Sequence, residues 1–124
     1  MKKMSKSPTQ LALKYYREQG YLCWITEYWH AHGKVRKDLL GFIDMIALNS
    51  YETIGVQCTS KAGGYARKKK ILTDEDVSPR AKLWLQAGNH IHLTTFSKND
   101  KTNRYEKKIE PITLGDFKNG TKRG

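Results

Sequence analysis

Residues 43–59, IDMIALNSYETIGVQCT, decide how this chain folds. Two short apolar runs, 43–48 and 53–59, have the β-branched composition of strands, and the NSYE segment between them has the composition of a tight turn. We therefore expect a hairpin in which Asp44 and Gln57 are neighbours on one open edge, close to lysines. An aspartate beside a second oxygen ligand is the least that is needed to hold a hard cation against a phosphate.

The segments around the hairpin carry helix and strand signals of their own. Ser7 can cap a helix, Pro8 suits its first turn, and Gln10 completes a capping box. The elements expected outside the hairpin are a helix from Ser7 to Gly20, a strand over 21–29, a basic loop over 30–37, a basic helix over 65–72, an acidic linker over 73–77, a helix from Ser78 to Gly88, a strand over 90–96 and an edge strand over 105–112.

The order of these elements predicts the fold class. Strands followed by a helical crossover and a further strand imply a mixed central sheet flanked by helices, which is an α/β fold. With 124 residues the chain is long enough for one domain, which we place at residues 7–117 between a basic N-terminal tail, 1–6, and a basic C-terminal tail, 118–124.

The charge of the chain predicts its class of partner. Lysine and arginine number 23 against 12 aspartates and glutamates, which gives a net charge of +11. Such an excess on a small domain favours a polyanion, most often nucleic acid, although a solvated or ribosome-like basic surface is the alternative. No run approaches the roughly 18 apolar residues of a membrane span, and no signal peptide is recognisable, so we expect no membrane partner. Cys23 and Cys58 fit buried thiols of a reducing cytoplasm.

The residues with the best-placed functional groups lie on the hairpin. Asp44 interrupts an apolar strand, where a carboxylate needs a partner, and the carbonyl oxygen of Gln57 can ligate a divalent cation. Strand alternation would put Gln57, Thr59 and Lys61 on one face, where the lysine could stabilise a charge that develops on a phosphate. The alternative is that Asp44 faces water or caps a turn, and that Gln57 and Lys61 are ordinary polar strand residues.

Together these features resemble the PD-(D/E)XK nuclease superfamily, which includes restriction endonucleases and archaeal-type Holliday junction resolvases. The resemblance covers roughly residues 7–96 and implies a restriction-endonuclease-like αβββαβ core. It is strongest with phage and bacterial resolvase-like proteins that share a DL-x-GF-x-D segment, a Q-x-TS segment and an A-R-x-x-K helix. The matching segments here are residues 38–44, 57–60 and 66–70.

The resemblance also implies roles for individual residues. The metal-binding aspartate of the family matches Asp44, its second acidic position matches Gln57, and its lysine position falls on Thr59. We therefore expect Asp44 and Gln57 to hold Mg²⁺ or Mn²⁺, and either Lys61 or Lys70 to supply the missing cation. The remaining candidate residues are Glu27, as an outer metal ligand or an orienter of water, and Asp38, for which we favour anchoring the loop of Arg36 and Lys37.

A basic surface is expected to bind the phosphates of a nucleic acid. Its residues are Arg67, Lys68, Lys69 and Lys70 on the short helix, together with Lys34, Arg36 and Lys37 in the loop. Tyr65 opens the helix and either stacks against a nucleic-acid strand or packs in the core. The alternative for the lysines is a solvated helix face.

The sequence thus leads to a function hypothesis and a rival. The hypothesis is a divalent-metal-dependent DNA endonuclease in the cytoplasm of a bacterial or phage-infected cell. The resemblance to junction resolvases implies structure-selective cleavage, but the residues themselves leave junction, nick, duplex and RNA open as substrates. A homodimer would let so small a domain reach two strands, with aromatic residues at the interface. Because a threonine replaces the usual lysine, the rival is a catalytically impaired nucleic-acid-binding protein on the same fold. A third reading is an RNA-binding or assembly protein without metal.

Overall fold

A computed structural model describes residues 6–30, 32–33 and 35–117 of the chain. Both predicted tails, apart from residue 6, lie outside the described residues. The helices are α1 (Pro8–Glu18), α2 (Gly64–Thr73) and α3 (Val77–Gln86), with short 3₁₀ turns at Lys61–Gly63 and Leu114–Asp116. The strands are β1 (Leu22–Ile25), β2 (Tyr28–His30), β3 (Val35–Lys37), β4 (Met45–Leu48), β5 (Thr53–Ser60), β6 (His90–Lys98) and β7 (Tyr105–Ile112).

Five of the strands form one mixed sheet, in the order β1-β4-β5-β6-β7. β5 and β6 run parallel, as the helical crossover requires, and the other neighbours are antiparallel. The predicted α/β class with a mixed sheet flanked by helices is confirmed. β7 is an edge strand, as expected, and it runs through Pro111 to Ile112 rather than being interrupted there; edge strands tolerate proline.

The sheet separates two apolar layers. α1 covers one face, whereas α2 and α3 cover the other. Burial in these layers, at about 25 cal/mol per Å² of apolar surface, is the main favourable contribution to folding. Representative buried residues are Ala12, Tyr16, Met45 and Val56 on the α1 side, and Ile71, Ala81, Ile91 and Leu93 on the α2 and α3 side.

The ends of the helices follow their sequence signals closely, and α2 runs one residue further at each end than the expected 65–72. The Ser7 hydroxyl accepts a hydrogen bond from the Gln10 amide at 3.1 Å, so the predicted N-cap of α1 is present. α3 begins at Val77, one residue before the expected Ser78. The reason is Asp74, whose carboxylate accepts hydrogen bonds from the amides of Asp76 and Val77 and so orders the first turn.

One predicted strand is wrong. The segment 21–29 forms two short strands in different sheets rather than one, because the chain bends between β1 and β2. The amides of Thr26 and Glu27 both donate to the Asp44 carbonyl oxygen, at 2.9 and 3.2 Å, and this shared acceptor marks the point where the chain leaves the main sheet. The predicted loop 30–37 contains β3, which pairs with β2 as a small separate hairpin.

The predicted hairpin of β4 and β5 is present, but its edge is not open. Met45 pairs with Val56, and the preceding pair in this register is Asp44 with Gln57. β5 is the middle strand of the five, and the side chain of Gln57 is only 1% exposed. Because β1 and β6 flank the hairpin on either side, Asp44 and Gln57 are buried neighbours.

Candidate metal and phosphate site

A cavity of about 590 Å³ lies at the end of the sheet where β5 stops and β4 starts. Its wall combines the first turn of α1, the loop after β3, the end of β5, and one face each of α2 and α3. The residues that line it are Ser7, Pro8, Thr9, Glu27, Lys37, Asp38, Leu40, Gly41, Asp44, Cys58, Thr59, Arg67, Lys70 and Arg80.

Three carboxylates meet inside this cavity. Ligand atoms of Glu27, Asp38 and Asp44 all lie within 4.8 Å of one another. The small hairpin explains the meeting, since β2 and β3 pair Tyr28 with Lys37, and the next residues outward are Glu27 and Asp38. Glu27 and Asp38 therefore lie side by side at the base of that hairpin, next to the start of β4.

Asp44 is held in place by two donors from β5. Its Oδ2 accepts hydrogen bonds from the Gln57 side-chain amide and from the Cys58 backbone amide, each at 2.7 Å. Because both donors take the same oxygen, Oδ1 is the atom that can be shared with Glu27 and Asp38. The orientation of Asp44 is therefore fixed by strand pairing rather than by solvent.

Gln57 takes a different place from the one expected for a metal ligand. Its side-chain nitrogen, not its carbonyl oxygen, faces Asp44. A nitrogen that donates to a carboxylate has no free pair for a cation, and Gln57 is not among the described residues that line the cavity. In this structure Gln57 orients Asp44 through a hydrogen bond, while Glu27 and Asp38 supply the other carboxylate oxygens of the cluster.

The surroundings of Asp44 hold it in its neutral form. Burial raises the pKa of Asp44 from 3.8 to about 8, and the hydrogen bond with Asp38 and the negative charges of Asp38 and Glu27 act in the same direction. The hydrogen bond from the Cys58 amide opposes this rise. Such a carboxyl group must release its proton before it can bind a cation, so metal binding near neutral pH would be coupled to proton release.

Four basic side chains line the same cavity: Lys37, Arg67, Lys70 and Arg80. Arg67 and Lys70 are three residues apart on α2 and therefore share one face of that helix. The N-terminus of α1, whose Ser7, Pro8 and Thr9 line the cavity, adds the partial positive charge of its free amides. Carboxylates inside and cations around them form a site that can accept a metal ion together with a phosphate.

Arg80 and Asp38 are the two cavity residues whose roles the sequence did not reveal. Arg80 is in the first turns of α3, and its Nη1 donates to the Leu40 carbonyl oxygen at 3.4 Å, next to the acidic loop. Asp38 was expected to anchor a loop, but its carboxylate belongs to the acidic cluster. The sequence gives a signal for Asp38 alone: it directly precedes an apolar run that also contains Asp44.

The remaining predicted residues are placed elsewhere or are not described. Lys61 was expected on the face of Gln57, but β5 ends at Ser60 and a 3₁₀ turn begins there, so strand alternation stops and Lys61 does not line the cavity. Lys68 forms an ion pair with Glu110 on β7, and Lys69 lies beside Thr73 on the outer side of α2. Lys34 lies outside the described residues, and Arg36 is described only as part of the β3 backbone.

Comparisons with protein-family models, with curated proteins and with solved structures gave no match. Across residues 6–30, 32–33 and 35–117, none of the helices has the length and apolar character that crossing a membrane needs.

Proposed function

We propose that this protein is a divalent-metal-dependent nuclease that hydrolyses phosphodiester bonds in DNA. The observation that carries the proposal is the gathering of Glu27, Asp38 and Asp44 within 4.8 Å inside a cavity lined by basic side chains. Like-charged carboxylates at such distances repel one another unless a proton or a cation lies between them.

The chemistry of the three carboxylates fits a hard divalent cation. Mg²⁺ and Mn²⁺ prefer oxygen ligands, and three carboxylates from different segments are a suitable set. When bound, such an ion would polarise the scissile phosphate and lower the pKa of an attacking water. The chain itself orients Asp44 through Gln57 and Cys58, so that one carboxylate oxygen keeps its direction whether or not an ion is present.

The basic residues of the cavity supply the contacts with the phosphate. Lys70 is the proposed replacement for the lysine that the PD-(D/E)XK pattern has at Thr59, because it lines the cavity and Lys61 does not. Lys37, Arg67 and Arg80 would position the scissile phosphate and its neighbours, and would stabilise the charge that builds in the transition state. None of these contacts reads a base, so we expect little sequence specificity.

The order of elements supports membership of the PD-(D/E)XK superfamily as part of the proposal. α1, β1, β4, β5, α2 and β6 follow one another as helix, three strands, helix and strand, which is the order of that core. The β2–β3 hairpin and α3 are additions to this order, and both contribute residues to the cavity.

The proposal is tested by incubating the protein with a four-way junction, a duplex and single-stranded DNA, each with Mg²⁺, Mn²⁺ or EDTA. We expect cleavage that requires metal and that is lost in Asp44→Asn, Asp38→Asn and Glu27→Gln. Glu18→Gln is the matched control, because Glu18 is exposed at the opposite end of α1, about 16 Å along an 11-residue helix. Cleavage that persists in Asp44→Asn would reject the proposal.

A second candidate is a protein that binds DNA without cutting it. Thr59 favours it, since this residue is buried at the position where the family carries a lysine, and a threonine has no positive charge to set against the negative charge of the transition state. Binding that depends on salt and on Arg67, with no product in any metal, would identify this alternative.

A homodimer remains a prediction, and an apolar sheet edge supports it. β1 is an edge strand, and Leu22 and Trp24 on it are 66% and 72% exposed. Exposed edges with large apolar side chains are common sites of self-association. We expect Trp24→Lys to convert a dimer to a monomer in light scattering, and a wild-type monomer at high concentration would remove this part of the proposal.

A further inference from the structure

A second groove, of about 380 Å³, lies on the other side of α2 from the acidic cavity. Leu93 and Thr95 of β6 are part of its lining, and Lys61, Tyr65, Lys68 and Lys108 surround it. It contains none of the three clustered carboxylates. Lys61, which does not line the acidic cavity, lines this groove instead.

Tyr65 is an exposed aromatic residue in the first turn of α2. Its side chain is 79% exposed, which excludes the core packing that the sequence left open. Gly64 explains how the helix can begin so close to the sheet, because a Cβ at this position would lie 3.0 Å from a methyl group of Thr95. The close approach brings Tyr65, the next residue, to the rim of the groove.

The charge of the groove is positive. Lys68 is neutralised by its ion pair with Glu110, whereas Lys61 and Lys108 are exposed. Lysines that surround an exposed aromatic ring match a ligand in which phosphates alternate with flat bases. Single-stranded nucleic acid has this chemistry, whereas a duplex keeps the faces of its bases stacked inside.

The two grooves are connected over α2. A shallow depression between them is lined by Tyr65, Ala66, Lys69, Lys70, Thr73 and Asp74. Lys70 belongs both to this depression and to the acidic cavity, and Tyr65 belongs both to it and to the far groove. A strand could therefore follow basic side chains from one groove to the other across one helix, a width of about 10 Å.

We propose that the Tyr65 groove is a binding site for the unpaired part of a nucleic-acid strand that leaves the acidic cavity over α2. Tyr65 stacks on a base, and Lys61 and Lys108 contact the adjoining phosphates. This inference rests on the proposed function for the part of the strand in the cavity. It names the substrate class as DNA with a single-stranded segment beside the cut, as in branched or frayed structures.

The test measures binding in EDTA by fluorescence anisotropy, with labelled twelve-nucleotide oligothymidylate, oligouridylate and a twelve-base-pair duplex. We expect Tyr65→Ala to weaken binding of the single strands about 5- to 100-fold and to leave duplex binding unchanged, while Tyr65→Phe keeps wild-type affinity because the ring remains. We expect the wild type to bind oligothymidylate at least as tightly as oligouridylate, and a clear preference for oligouridylate would contradict DNA as the substrate class.

Matched controls separate this result from a general loss of charge or fold. Tyr51 is exposed at the turn between β4 and β5, at the other end of the sheet, so Tyr51→Ala should leave all affinities unchanged. Lys61→Ala should weaken single-strand binding more than Lys14→Ala, since Lys14 is exposed on α1, across the sheet.

Single-strand affinities in Tyr65→Ala equal to those of the wild type would overturn the inference, and so would an equal loss for the duplex. The nuclease proposal would fail if cleavage persisted in Asp44→Asn or if the wild type gave no products. Neither result would change the Tyr65-dependent anisotropy, which is measured in EDTA. The two proposals can therefore be rejected independently of each other.

Discussion

Buried polar groups lie beneath α1 and in the cavity at the end of the sheet, and the two sets differ in how their hydrogen bonds and charges are satisfied. On the α1 face the Tyr16 hydroxyl lies 2.8 Å from His92 Nδ1 and 3.2 Å from the Thr94 hydroxyl. Thr94 can donate to Tyr16 while Tyr16 donates to a neutral His92, which leaves this set complete without any charge. Burial raises the pKa of Tyr16 and lowers that of His92, and both shifts favour the neutral forms.

At the cavity the arrangement is the reverse. Three carboxyl groups are held together, and Asp44 is neutral only while it keeps a proton, up to a pH of about 8. Like-charged groups in one partly buried site lower stability unless a cation joins them. We infer that the α1 set stabilises the fold, whereas the clustered carboxyl groups of the cavity lower stability and serve to bind a ligand.

The first prediction has the largest expected effect. It tests whether DNA cleavage depends on the cavity and not on the polar groups beneath α1. Asp44→Asn keeps an oxygen that can accept the hydrogen bonds from Gln57 and Cys58 but cannot ionise to bind a cation. We expect DNA cleavage in saturating Mg²⁺ to fall by about three orders of magnitude, as for the loss of several kcal/mol of transition-state stabilisation.

The matching change on the α1 face is Thr94→Val, which should leave the cleavage rate within a few-fold of that of the wild type, measured well below the melting temperature. A comparable loss of cleavage in both variants would mean that the comparison does not separate function from folding.

A second prediction contrasts two lysines that the sequence could not tell apart. Lys70 lines the acidic cavity and Lys61 does not, so Lys70→Ala should lower the cleavage rate of a duplex about 100-fold whereas Lys61→Ala should change it less than threefold. Single-turnover kinetics with saturating enzyme would separate this effect from weaker binding. The opposite ranking would return Lys61 to the catalytic role predicted from strand alternation.

The ease of predicting each part of the molecule depended on how local its contacts are. The pairing of Asp44 with Gln57 was predictable, because a tight turn and two apolar runs fix the register of a hairpin. The meeting of Glu27 with Asp38 was not, since β2 and β3 have three residues each and no alternating pattern. Arg80 reaches the cavity only because α3 packs beside the Leu40 loop, a contact between residues 40 positions apart.

A third prediction uses the pH dependence of stability without metal. The pKa of Asp44 is 3.8 in an unfolded chain and about 8 in the folded protein, so between these values only the folded state holds the proton. The free energy of unfolding should therefore fall as pH rises through this window, by at most about 1.4 kcal/mol per pH unit. Urea denaturation in EDTA at pH 5, 6, 7 and 8 measures the slope, and Asp44→Asn should flatten it.

The α1 face should contribute a slope of the opposite sign. The pKa of His92 is lower in the folded protein than its ordinary 6.5, so below that pH the unfolded chain binds the proton first and stability falls as pH falls. His92→Asn, which keeps an acceptor and cannot titrate, should remove this acid-side loss while the Asp44 slope persists. The two sites are not independent if His92→Asn removes the fall in unfolding free energy that Asp44 causes as pH rises. The same holds if Asp44→Asn removes the loss of unfolding free energy below pH 6.5.

The smallest expected effect concerns the α1 set itself. Tyr16→Phe deletes the hydroxyl between His92 and Thr94 but keeps the ring, which packs in the core. Because two partly or fully buried groups then lose a hydrogen bond, we expect a loss of about 1–2 kcal/mol in the free energy of unfolding at pH 7. Metal-dependent cleavage below the melting temperature should stay unchanged. A clear loss of cleavage in Tyr16→Phe while the protein is still folded would show that the polar groups beneath α1 also influence the cavity, through the sheet that connects them.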